Sequence, residues 1–329
     1  ETGKTLFQLK EEVFMKPKKY FTSRSKILII FFVLLSPILS LYCSQAQDKA
    51  KKIDKFIQLY HDYGQFNGAV LVAENGEVIY KKGFGLANME WDIPNNPDTK
   101  FRVGSVTKQF TSMLILKLVE EGKIDLQKSL SDYLPYYREH IGSNVTIHHL
   151  LTHTSGIPSY TNIPNFFNEV SRDPYGVKEF VKEYCSSDLE FEPGSQFKYN
   201  NSGYFILGAV IEQITGKSYE EVLKENIFQP LGMNSSGYDH HADIIPQRAT
   251  GYEQSFDEYI NSPYLDMSLP YAAGSLYSTV EDLYIWDQSL YSEKLLAKKL
   301  KDLMFHPHVS ALGGSYGYGW FVSKRKLPE

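Results

Sequence analysis

The 329-residue sequence predicts a mixed α/β fold: an antiparallel sheet built from both chain ends, flanked by helices, with a mostly helical stretch inserted at about 105–270. Three observations predict it. Strand signals come first, at Gly68–Tyr80. Helical periodicity then dominates from Ser105 onward. Strand-like alternation returns at Tyr316–Val322.

In chain order, Ala50–Tyr63 is amphipathic, with Ile53, Phe56, Ile57 and Tyr60 at helical spacing. Gly68–Ala73 and Val78–Tyr80 flank Asn75-Gly76, a strong short hairpin signal, and Gly83–Met89 reads as a further strand. Ser105–Glu121 is helical, with Phe110, Met113, Leu114 and Leu118 as an apolar stripe and Gly122 at its C-terminal cap. Ile147–Thr152, Tyr204–Ile214 and Ser218–Ile227 read as helices, closed by Gly156 and Pro158, by Gly216, and by Pro230 and Gly232. Gly274–Tyr277 reads as a strand. Thr279–Leu290 follows as a helix, with Thr279 placed to cap it.

Composition narrows the function. Hydrophobic residues make up 42% and net charge is −5, so a real core is expected and no nucleic-acid footprint is. Two cysteines, Cys43 and Cys185, do not make a disulfide framework. Met15, a basic run from Lys16 to Lys26, the apolar Ile27–Leu35 and Ser44-Gln-Ala46 follow the order of an export signal. Residues 1–14 then read as upstream read-through. Residues 15–46 read as a signal peptide or N-terminal anchor, with residues 27–42 as a candidate membrane tether. Residues 47–329 are left as one extracytoplasmic domain.

Two clusters carry chemistry. Ser105-Val-Thr-Lys108 opens a helix, and residues three apart share a helix face, so Lys108 can lie beside the Ser105 hydroxyl. A buried Lys can lose its proton and serve as a base. Glu192-Pro-Gly leads to Tyr199-Asn-Asn201 just before the Tyr204 helix. An ammonium beside Tyr199 would lower its phenol pKa from about 10, letting Tyr199 and Lys108 share a proton. Asn201 offers an amide to orient Lys108 and a substrate carbonyl.

These segments resemble the class C β-lactamase family, which includes D-alanyl-D-alanine carboxypeptidases and related esterases. The resemblance rests on Phe101–Phe110, Thr146–Pro158, Pro193–Gly203, Pro230–Met233 and Ala272–Thr279, and covers roughly Gly68 to Val322. It implies a β-lactamase/transpeptidase-like fold and an acyl-enzyme on Ser105, with Lys108 as first base, Tyr199 as second and Asn201 as the substrate-amide partner. It also implies a second oxyanion donor from a strand bearing Lys-Thr-Gly or His-x-Gly, which does not occur before Glu329. The expectation is a domain incomplete at its C-terminal strands and inactive in this form. No cofactor or metal is implied.

Rival constellations are weaker. Gly313-Gly-Ser315-Tyr-Gly317 fits Gly-x-Ser-x-Gly, but no helix follows, as a nucleophile elbow needs. Thr154-Ser155-Gly156 reads as a helix-ending turn. His149 and His153 are four apart, a spacing that can hold zinc, yet no Glu lies between them as in His-Glu-x-x-His. The expected function is therefore serine hydrolysis of a small-molecule or peptide amide or ester: a D-alanyl peptide, a β-lactam or a small ester. The alternative is a catalytically silent peptidoglycan- or peptide-binding module of the same fold.

Overall fold

The computed structural model describes residues 46–255 and 258–324. Residues 1–45, and with them the read-through and export readings and Cys43, lie outside the described residues. The chain divides into two compact units, residues 1–56 and 57–329. Residues 46–62 are helical, and those up to 56 are all that is described of the first unit. Among the described residues no helix is long and apolar enough to cross a membrane.

The second unit begins with the expected hairpin. Gly68–Glu74 pairs antiparallel with Glu77–Phe84. The turn residues Asn75 and Gly76 have φ of 53° and 79°. Two consecutive positive φ values are what a two-residue turn of this hand requires, and Asn-Gly adopts them at least cost. The helix Val280–Ser289 meets this hairpin through an ion pair between Lys81 and Glu281 and a hydrogen bond from the Tyr284 hydroxyl to the Gly76 carbonyl.

Two helices form the centre. Thr107–Glu120 buries Ile115 and Leu116 as well as the expected Phe110, Met113, Leu114 and Leu118. A helix apolar on nearly every side sits inside a core, not on its surface. Asn201–Thr215 is buried along Tyr204–Ile211 and ends at Gly216, φ 68°. Each fully buried side chain of this size contributes roughly 1.5–3 kcal/mol.

The mixed α/β class with antiparallel pairing is as expected, but the strands are distributed differently. Among the described residues the hairpin and the C-terminal strands lie in separate small sheets. The sheet nearest the helix of Ser105 joins Phe101–Arg102 and Gly237–Tyr238 to opposite edges of Leu276–Ser278. The stretch 105–270 holds helices and also the short hairpin Tyr252–Ser255 with Glu258–Asn261.

Two segments correct the sequence reading. Gly274 is not in a strand. Tyr271–Gly274 is one helical turn, and the strand begins at Leu276. Tyr316–Val322 is not one strand either. Gly314–Tyr316 and Phe321–Val322 are adjacent antiparallel strands, separated by a turn through Gly317 and Gly319. At Gly319, φ is 83°, and an added Cβ would lie 2.9 Å from both the Lys108 carbonyl oxygen and Ser112 Oγ. A two-residue alternation cannot reveal such a contact, because the approach depends on a helix far away in sequence.

Candidate active site

The site is built on the first turns of two central helices. Gly104, with φ 51°, ends the extended Phe101–Arg102 segment, and Gly104–Val106 forms a tight 3-10 turn that runs into Thr107–Glu120. That turn leaves Ser105 exposed while Lys108, one turn on, is only 1% exposed. The second helix starts at Asn201 because the Asn200 side chain caps it, accepting the Gly203 N–H at 2.8 Å. This delivers Asn201 to the same point.

Lys108 Nζ is the hub. It lies 3.1 Å from Ser105 Oγ, 2.9 Å from Asn201 Oδ1 and 2.8 Å from the Ala273 carbonyl oxygen. The last acceptor comes from the helical turn Tyr271–Gly274, just before the strand. A second main-chain carbonyl of that turn, Ala272, accepts the Thr111 hydroxyl at 2.7 Å and so fixes the turn against the nucleophile helix. The Tyr199 and Tyr204 rings face the amine, with centroids 5.0 and 5.6 Å from Nζ.

Burial lowers the Lys108 pKa from 10.5 to about 7, so a large share of the amine is uncharged near neutrality. Donor counting then gives the free position. A neutral amine has two N–H groups and one lone pair. Asn201 Oδ1 and the Ala273 carbonyl only accept, so they take the two N–H groups. The lone pair is left facing the Ser105 hydroxyl.

Tyr199 is brought to the same place, with its ring against the Lys108 amine and its phenol near the Ser105 hydroxyl. Its protonation corrects the sequence reading. The pKa is raised by burial, which the nearby Ser105 hydroxyl only partly offsets. A lowered value required a permanent cation next to the phenol. Burial disfavours the charged forms of Lys108 and of Tyr199 alike, so Tyr199 stays a protonated phenol.

Ser105 opens onto a cavity of about 300 Å³. Its walls include Tyr160, Phe166, Met267 and Leu269, all nearly fully buried, and Arg102 stands at the rim. Arg102 Nε donates to buried Asp239 at 2.8 Å, and Arg248 donates to the other carboxylate oxygen at 2.6 Å.

The four residues named from sequence thus converge, and the rivals do not. Ser315 is mid-strand, paired with Ser310 and Val322. Ser155 is buried, and its hydroxyl accepts the Ile157 N–H in a turn. His149 and His153 do not share a helix face, because the helix ends at Leu151 and His153 has φ 59°. No group of three or more His, Cys, Asp or Glu with metal-binding geometry occurs among the described residues.

A family model described as Beta-lactamase matches residues 53–328. The penicillin-binding protein PbpX of Bacillus subtilis (strain 168) is 32% identical over 277 residues, covering 84% of this chain and 66% of its own length. The chain therefore spans just under two-thirds of that relative. The teichoic acid D-alanine hydrolase of Staphylococcus aureus is 29% identical over 316 residues, covering 95% of this chain and 74% of its own. A crystal structure of a penicillin binding protein from Bacillus halodurans superposes with a TM-score of 0.71 at 32% identity, covering 80% of each chain.

Proposed function

Because the chain belongs to the β-lactamase family, we propose that it is a serine hydrolase that forms an acyl-enzyme on Ser105. The observation that carries this reading is the single amine of Lys108, held by Asn201 and Ala273 with its third position on Ser105 Oγ. In acylation, Lys108 takes the Ser105 proton as Oγ attacks the substrate carbonyl. The backbone N–H of Ser105 faces the developing oxyanion. Tyr199, protonated and beside Ser105, hands a proton to the leaving oxygen or nitrogen as the acyl bond breaks. Water then attacks the acyl-enzyme, and the same groups run in reverse.

The substrate is an ester or amide with an uncharged, apolar group on its acyl side, seated in the cavity walled by Phe166, Met267 and Leu269. An N-acylated D-alanyl peptide falls in this class, whereas a free D-alanyl ester carries an α-ammonium on its acyl side and does not. Action outside the cytoplasm is part of the proposal and rests on the basic and apolar runs at residues 16–35.

The test is labelling of the protein with a fluorescent fluorophosphonate, beside Ser105→Ala. Labelling that vanishes in the variant supports the reading. Equal labelling of both discards Ser105 as nucleophile, and no labelling of either leaves the fold as a silent binding module.

A further inference from the structure

His153 falls outside the roles assigned so far, yet it is the buried residue most tightly tied to the Tyr199 loop. It sits in the left-handed region at φ 59° and is 1% exposed. Its carbonyl oxygen accepts the Lys198 N–H at 2.9 Å. Its ring Nδ1 lies 3.1 Å from the Asn200 nitrogen, and that N–H can only donate. The residues on both sides of Tyr199 are therefore held by one residue. The His153 ring also lies against the Tyr199 ring, with centroids 4.4 Å apart.

The far side of the ring is anchored too. Since Nδ1 accepts, the ring proton sits on Nε2. Nε2 then donates to the Tyr316 hydroxyl, 3.1 Å away. Tyr316 lies near Tyr204, whose hydroxyl donates to the Leu151 carbonyl at 3.0 Å. Burial, and secondarily the nearby Lys108, keeps the imidazole neutral, which this pattern requires.

We infer that His153 is a positioning residue for Tyr199, clamping residues 198 and 200 so that the ring stays over the Lys108 amine with the phenol beside Ser105. His153 touches neither Ser105 nor substrate, so its effect passes through Tyr199. This inference rests on the reading of Ser105 as nucleophile only for its kinetic arm. The left-handed backbone and the Nδ1 acceptor together single out one conservative replacement. Asn tolerates positive φ and places Oδ1 near the position of Nδ1.

The experiment compares wild type, His153→Leu and His153→Asn by two readouts. The first is the acylation rate with a chromogenic ester, alone and in a Tyr199→Phe background. Displacing a catalytic group by about 1 Å costs on the order of 100-fold, so His153→Leu is expected to lower kcat by about that factor with KM little changed. His153→Asn recovers most of the rate. In the Tyr199→Phe background His153→Leu costs little more, because the group it positions is already gone. The second readout needs no activity: the Lys108 amine is titrated by 15N NMR. His153→Leu, by uncovering the amine, moves its titration up toward the ordinary lysine range, and His153→Asn does not.

Additive losses in the double variant, or a Lys108 titration unmoved in a folded His153→Leu protein, overturn the inference. If the Leu variant fails to fold, a folded His153→Asn protein that is as slow as Tyr199→Phe overturns it equally. Wild-type protein with no Ser105-dependent acylation discards the functional reading instead, while the NMR arm still decides the role of His153.

Discussion

Lys108 and Ala273 are joined by a 2.8 Å hydrogen bond from a side-chain amine to a main-chain carbonyl. Together with the Asn201 side chain, this acceptor decides where the amine's lone pair points. Removing the amine removes the base. Lys108→Ala is expected to slow acylation by about 100- to 10,000-fold, the range for a positioned proton acceptor. Single-turnover kinetics with a chromogenic ester check this.

The pH profile follows from the same group. Burial lowers the amine's pKa from 10.5 to about 7, so it is the protonated form that is lost as pH rises through about 7. Acylation should climb through that point and then level off. The Tyr199 phenol, held above 10.0 by burial, should not bring the rate down below pH 10. Stability carries the matching sign. Between about 7 and 10.5 the unfolded chain holds the lysine proton more tightly than the folded one, so the unfavourable share of this burial shrinks as pH rises. A stopped-flow rate profile and urea melts across this range test both statements.

Gly319→Ala should destabilise the fold by about 1–3 kcal/mol, the cost of a strained backbone residue. The added methyl group meets the Lys108 carbonyl and Ser112 Oγ, and φ is 83°. Urea unfolding measures the loss, and acylation should slow as well because the Lys108 turn is displaced.

The cavity beside Ser105 makes a prediction about substrate. In a series of straight-chain acyl esters, kcat/KM should rise about fourfold per methylene, following roughly 0.8 kcal/mol for each one buried. The rise should stop once the space of about 300 Å³ is filled. A flat series would show that the acyl group does not enter it.

Part of this site was legible in the sequence. Ser105 and Lys108 were placed together by helix spacing alone, and the Asn-Gly turn fixed the hairpin. Other parts were not legible, for definite reasons. The Ala273 carbonyl is main chain, and no residue type signals it. His153 was weighed as a zinc ligand because a spacing of four assumes a continuing helix. The helix stops at Leu151, and the ring turns toward Asn200 and Tyr316. Tyr199 was expected to be acidified by a neighbouring cation, but desolvation set its protonation, and burial depends on packing that spacing does not encode.

The C-terminal strand Gly314–Tyr316 and the turn after it make three contacts with the site and the residues behind it. The Tyr316 hydroxyl meets His153, that of Tyr318 meets His148, and Gly319 rests on the Lys108 backbone. A ribosome makes these residues long after Ser105. Closing contacts over so long a span is slow. A nascent chain halted before Tyr316 would thus carry every catalytic side chain and still lack the contacts that anchor the His153 ring and back the Lys108 turn.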